Sequence, residues 1–259
     1  MKRLAYLRLI HRVWRYRLHT EHAEVRFMLD TIRPGQCVVD IGAHKAAFTY
    51  WMAKRVGPTG QVVAFEPQPD LAEYLRDVAR RIGPDTVRVL ELALSDEEGD
   101  SRLYFRGEHP GAASLEVQHG PSVPVSTRTL DQVVQENDLP GPVSFIKCDV
   151  EEHELAVFSG AKEVLRNDKP VLLFESANIE TGHRQLGPVT DYLRGFGYEG
   201  YFFAEKTLHP FAEFSPDRFH FAHLAQQNFV FVPADVLTLE RNYPPYRLRQ
   251  NVSSQTPVA

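Results

Sequence analysis

Five carboxylates in this chain of 259 residues fall at or near the ends of short apolar runs. Asp40 lies in Cys37-Val38-Val39-Asp40-Ile41-Gly42, and Glu66 closes Gln61-Val62-Val63-Ala64-Phe65. Asp149 and Glu151 follow Val143-Ser144-Phe145-Ile146-Lys147-Cys148, and Glu175 follows Val171-Leu172-Leu173-Phe174. Parallel strands of an α/β sheet bring their carboxyl ends to one rim, where ligands bind. Acids gathered there make a crevice that attracts positive charge. An acid closing the second strand is the usual acceptor for ribose hydroxyls, so Glu66, with Pro67 behind it, points to an adenosine-containing cofactor. The turn after the first strand, Gly42-Ala43-His44-Lys45-Ala46, has a single glycine where dinucleotide sites have three to bring amides against a pyrophosphate. That disfavours NAD and a dehydrogenase. S-adenosylmethionine (SAM) has no phosphate but carries a sulfonium and an ammonium, both of which Asp40 attracts.

Methyl transfer from such a donor is an in-line displacement. The protein has to align acceptor, methyl and sulfur, and remove a proton from the acceptor. Asp149 and Glu151 are the first candidates for the base, and His153 is the next. A metal is an alternative, with Asp149, Glu175 and Asn178 as hard oxygen ligands that would lower the acceptor's pKa. Ser95 and Asp96, after the strand-like Val87–Leu90, either meet the adenine edge or form an ordinary polar turn. His109 and Ser114 are candidates for substrate contact.

These residues need elements to hold them. Apolar runs alternating with helical stripes predict a doubly wound α/β sheet with helices on both faces. The main domain is expected over 36–235, interrupted at about 101–128 by an inserted hairpin, with a tail at 236–259. Thr129-Leu130-Asp131-Gln132 has the pattern of a capping box. The aromatic and histidine-rich stretch from Lys206 to Gln227 is read as a lid, a partner surface or edge packing. Residues 1–35 form a helical lead-in. Its first 20 residues hold Lys2, Arg3, Arg8, Arg12, Arg15 and Arg17 and no acid, which leaves −11 for the remainder against −5 for the whole chain. Leu4, Leu7, Ile10, Trp14 and Leu18 recur at helical spacing. The resulting basic amphipathic helix suits a membrane surface, an acidic ligand or another subunit, or it folds over the domain. No apolar run is long enough to span a membrane or serve as a secretory core, so a cytoplasmic location is expected, with peripheral membrane contact through residues 1–20 as an option. The acidic remainder disfavours nucleic acid. Cys37 and Cys148, both in apolar runs, read as buried thiols of a reducing compartment. Asn251-Val252-Ser253 matches a glycosylation triplet common by chance and carries no weight.

In order and spacing, Asp40-Ile41-Gly42-Ala43, Ala64-Phe65-Glu66-Pro67, Ala93-Leu94-Ser95-Asp96, Thr129-Leu130-Asp131, Phe145-Ile146-Lys147-Cys148-Asp149-Val150-Glu151 and Asn228-Phe229-Val230-Phe231-Val232-Pro233 resemble the FkbM-type SAM-dependent methyltransferases. The match runs from about Val38 to Pro233. The resemblance implies a Rossmann-like class I methyltransferase, with a mostly parallel seven-stranded sheet and an antiparallel last strand. It also implies O-methylation of a hydroxyl on a small molecule, sugar or natural product. It places Asp40, Gly42 and Ala43 on the donor's methionine portion, with His44 beside them. Glu66 and Pro67 go with the ribose, Ser95 and Asp96 lie near adenine, and Asp149 and Glu151 stand beside the reacting methyl. Ala46 and Glu152 depart from the family, which usually has glycine at both places, and His44-Lys45 replaces an Asn-aliphatic pair. The rival expectation is a catalytically inactive SAM-binding or membrane-associated partner protein.

Overall fold

The computed structural model describes residues 3–105, 113–116, 119–136, 139–177, 186–204, 207–214 and 226–234. Helices α1 (Arg3–Arg15) and α2 (His22–Thr31) are joined by a π-helical turn at Tyr16–Thr20. Two strand-helix units follow the lead-in, β1 (Cys37–Ile41) with α3 (Ala47–Val56) and β2 (Gln61–Phe65) with α4 (Pro69–Ile82), and then a third strand, β3 (Val87–Leu90). Next come β4 (Ala93–Leu94), β5 (Gly99–Phe105), β6 (Ala113–Ser114), β7 (Ser122–Arg128) and α5 (Leu130–Glu136). The chain continues through β8 (Val143–Cys148), α6 (Glu154–Ser159), β9 (Val171–Ala177), α7 (Leu186–Gly195), β10 (Tyr198–Ala204), β11 (Thr207–Pro210) and β12 (Gln226–Pro233).

The main sheet has the order β11-β10-β12-β9-β8-β1-β2-β3. Strands β3, β2, β1, β8 and β9 are parallel neighbours, and β12 inserts antiparallel between β9 and β10. This is the expected seven-stranded arrangement with an eighth strand, β11, added antiparallel to β10 at the edge. The expected hairpin is larger than the pattern suggested. Strands β5 and β7 form it, and β4 and β6 flank it to give a separate four-stranded sheet, in which Ala93 and Leu94 pair with Thr127 and Arg128.

Side chains alternate across the sheet and so build two cores. Val38, Val62, Phe145, Leu173 and Val230 pack under α1–α4, whereas Val39, Val63, Ile146, Leu172 and Phe231 pack under α6 and α7. Each fully buried Val, Leu or Phe contributes about 1.5–3 kcal/mol. The same alternation sends Asp40, Lys147 and Glu175, two residues on from Val38, Phe145 and Leu173, to the face covered by α1–α4.

Helix α1 buries Leu9 and Val13, and the Trp51 indole of α3 donates a 2.9 Å hydrogen bond to the Val13 carbonyl. The expected stripe points the other way, since Leu4, Leu7, Trp14 and Leu18 are 59%, 56%, 43% and 53% exposed. The helix is apolar on two faces, and the narrower one, read less readily from spacing, is the one the domain covers. At α5 the capping box forms as expected, with Gln132 N–H on Thr129 Oγ1 at 3.1 Å and Thr129 N–H on Gln132 Oε1 at 3.0 Å. Cys37 and Cys148 are buried free thiols.

Candidate active site

The ends of β1, β2 and β8 are tied together through backbone. Gly42 and Ala43 both donate to the Phe65 carbonyl at 3.0 Å, and Asp149 N–H donates to the Ile41 carbonyl at 3.0 Å. Gly42 is required twice over. Its φ of +74° suits glycine, and a Cβ there would lie 1.9 Å from the Asp149 carbonyl oxygen. Four other positive-φ residues shape the rim: His44 at 46°, Ala46 at 65°, Glu151 at 51° and Glu152 at 77°. Two of these, Ala46 and Glu152, are the positions where the resemblance calls for glycine.

All five strand-end acids line two cavities at this rim. Asp40 is buried and accepts the Thr49 hydroxyl at 2.5 Å. Burial pushes its carboxyl up to about 6, even though that hydrogen bond and Lys147 favour the charged form. Glu66, also buried, accepts the backbone N–H groups of His44 at 2.9 Å and Gln68 at 3.0 Å. Its desolvation still outweighs these bonds and raises its pKa to about 7. Burial lowers His44 to about 4, helped by Lys45, so its imidazole is neutral near pH 7. Glu175 is raised by burial and by Asp149. Asp149, Glu151 and Glu175 bring ligand atoms within 4.8 Å of one another, while Asn178 lies outside the described residues. A metal would share that cluster with a buried cation that is part of the chain, the Lys147 ammonium, 3.3 Å from Asp149 Oδ2.

Lys147 and Glu21 carry site chemistry that motif reading did not single out. Lys147 pairs in register with Asp40 on the adjacent strand and is 1% exposed. Burial alone would push its ammonium down, but Asp149, Glu175, Glu21 and Asp40 together hold it well above the usual lysine value. A lysine inside an apolar strand was the available signal, because such a charge has to be paired. Glu21 ends the π-helical turn, a type of distortion frequent at functional sites. Burial raises its carboxyl to about 7. Nothing in the helical spacing around Glu21 marked it.

Two cavities open on these groups. One of about 250 Å³ is lined by Glu66, Pro67, Gln68, Leu92, Ala93, Leu94, Glu151, His153 and Glu175, among others. A second, about 620 Å³, is lined by Asp40, Ala43, Lys45, Phe48 and Lys147 and by Arg8, His11, Arg12 and Arg15 of α1. Tyr16, Glu21, Gly42, His44 and Asp149 line both. His153 is engaged at both ring nitrogens, Nδ1 with Glu116 Oε1 at 2.6 Å and Nε2 with Ser95 Oγ at 3.0 Å, which ties the small sheet to the loop before α6. Ser95 is buried and also donates to Asp96, which is exposed. The apolar side chains lining the smaller cavity include Leu92, Ala93 and Leu94, with Leu103 and Leu115 of the small sheet region. Ser114 is buried, with its hydroxyl on the Glu151 carbonyl at 2.7 Å, so it braces the loop. His109 lies outside the described residues.

The model of the methyltransferase FkbM domain matches residues 40–199, more than half of the chain. The chain belongs to the FkbM methyltransferase family. It is a SAM-dependent methyltransferase. It is 27% identical over 177 residues to the hexuronic acid methyltransferase AglP of Haloferax volcanii, covering 66% of this chain and 69% of that one. An FkbM methyltransferase structure from Methylobacillus flagellatus superposes with a TM-score of 0.51 at 16% identity over 89% of this chain, and confirms the fold. The chain spans 55% of that protein.

The residues present suit SAM. The Glu21 Oε2 acceptor, on a residue that lines both cavities, is buried without a hydrogen-bond partner among the described residues, and Asp40, Glu66, Asp149 and Glu175 also line those cavities. A ligand rich in N–H donors and positive charge satisfies both conditions.

Proposed function

We propose that the protein methylates a hydroxyl oxygen on a small, anionic acceptor of the sugar-acid type. The observation that carries this reading is that a cavity rimmed by Arg8, His11, Arg12, Arg15 and Lys45 opens into the acid-lined cleft at Asp149. Arginine suits carboxylate or phosphate recognition, because its planar fork matches two oxygens at once. The hexuronic acid in the name of the Haloferax volcanii relative is the same kind of molecule.

In this reading Glu66 accepts the ribose hydroxyls, Leu92 and Leu94 flank the adenine, and Asp40 attracts the methionine ammonium. The bound donor supplies a methyl group activated by positive sulfur. Asp149, which lines both cavities, takes the acceptor's proton. The Lys147 ammonium at 3.3 Å fixes the orientation of that carboxylate. His153 holds the loop in place.

The test is transfer of labelled methyl from SAM to matched pairs of neutral sugars and their uronic acids. Preference for the acid member, reduced in Arg12→Gln mainly through acceptor KM, is the expected result. Equal labelling of both members, or labelling of neither by a protein that binds SAM, overturns the acceptor class.

A further inference from the structure

Every large hydrophobic side chain exposed among the described residues lies in one short stretch: Leu4, Leu7, Trp14 and Leu18. With exposed Arg8, His11 and Arg15 they recur at spacings of three and four, so they share one face of α1 and its π-helical extension. The opposite face is held by Leu9, Val13 and the Trp51 hydrogen bond, so the outward stripe cannot turn inward without losing that packing. Trp14 meets Trp51 edge to face at 5.1 Å, and Arg17 lies 4.3 Å over the Trp51 ring, which fixes the end of the stripe.

We propose that this face docks on an anionic lipid surface, with the leucines and Trp14 entering the headgroup boundary and Arg8 and Arg15 against lipid phosphates. Charge selects the occupant. Residues 1–20 contain no Asp or Glu, so a two-fold pairing of this helix with a second copy would set arginines against arginines with no carboxylate on the helix to relieve them. An anionic bilayer supplies the missing charge along with an apolar layer for the leucines. No helix of the described residues is long and apolar enough to cross a membrane, so the contact is one of lying on the surface. Leu7, Arg8, His11 and Arg15 also line the larger cavity, so docking sets its mouth at the interface.

The test uses the full chain and vesicles of phosphatidylcholine with and without 30% phosphatidylserine, by sedimentation, with no methyl transfer involved. Leu4 and Leu18 do not line either cavity, so the double variant Leu4→Asp/Leu18→Asp is the probe. The expected result is binding to the anionic vesicles, weakened by 0.5 M salt, and about tenfold or more weaker in the variant, whose thermal midpoint is unchanged. Absence of binding to anionic vesicles at low salt, or equal binding by the variant, overturns the proposal. So does a dimer in sedimentation velocity that the variant abolishes, because the face would then belong to a second copy. Because vesicle binding is read without turnover, its failure leaves the acceptor assignment untouched.

Discussion

At the scale of single residues, the site depends on two kinds of constraint, backbone geometry and buried charge. Gly42→Ala is expected to cost about 3 kcal/mol or more, from left-handed φ and a Cβ set against the Asp149 carbonyl, and to abolish SAM binding in calorimetry. Glu152→Gly should act in the opposite direction, relieving about 1 kcal/mol of left-handed strain in a half-buried loop residue, read as a raised denaturation midpoint. The family's glycines at 46 and 152 thus have a conformational explanation in this chain, which keeps the conformation without the glycine. Lys147→Met leaves Asp149, Glu175, Glu21 and Asp40 facing one another without their cation. It should destabilise the fold by about 3–5 kcal/mol near neutral pH and less at pH 5, where Asp40 and Glu21, raised to about 6 and about 7, are protonated. The strand-end acids were legible because each closes an apolar run. Lys147 stands inside such a run, but its partners are not foreseeable there, since Asp40 meets it only through the β1–β8 register.

At the scale of elements, α1 shows how little spacing says about which apolar face is buried. Its leucines and Trp14 gave the more regular stripe, yet Leu9 and Val13 meet the core. Leu9→Ala should therefore cost about 2–4 kcal/mol in urea unfolding, whereas Leu4→Ala should change stability by less than about 0.5 kcal/mol. Equal costs would mean that the helix is rotated. The five-stranded parallel half was readable from apolar runs, and α5 from its capping box. Strand β11 was not, because four residues, Thr207-Leu208-His209-Pro210, are too few for a period of two to stand out within an aromatic stretch. The small sheet was underestimated for a related reason. A two-residue strand such as Ala93–Leu94 has no pattern of its own and exists only through pairing with Thr127 and Arg128.

At the scale of the whole molecule, acids held protonated by burial link folding, pH and donor binding. Asp40 and Glu66 are raised in the folded chain to about 6 and about 7, from ordinary values of 3.8 and 4.5. A folded state that binds more protons than the unfolded one loses stability as pH rises, so their contribution is complete below about 4 and is lost by about pH 7. The thermal midpoint without SAM should fall over that window. A cationic donor reverses the trend by favouring the ionised acids, so SAM affinity should rise from pH 5.5 to 8 with net proton release, measurable by calorimetry in buffers of different ionisation heat. A flat affinity would remove Asp40 and Glu66 from the binding step. Strand β12, which follows β9 and β10 in sequence yet is seated between them, imposes an order on biosynthesis. While the ribosome is still short of residue 226, β9 and β10 have no partner between them, and both present bare edges open to wrong pairing. Truncation just before that strand therefore removes a keystone rather than a fringe, and the nascent chain needs shelter until that strand has been made.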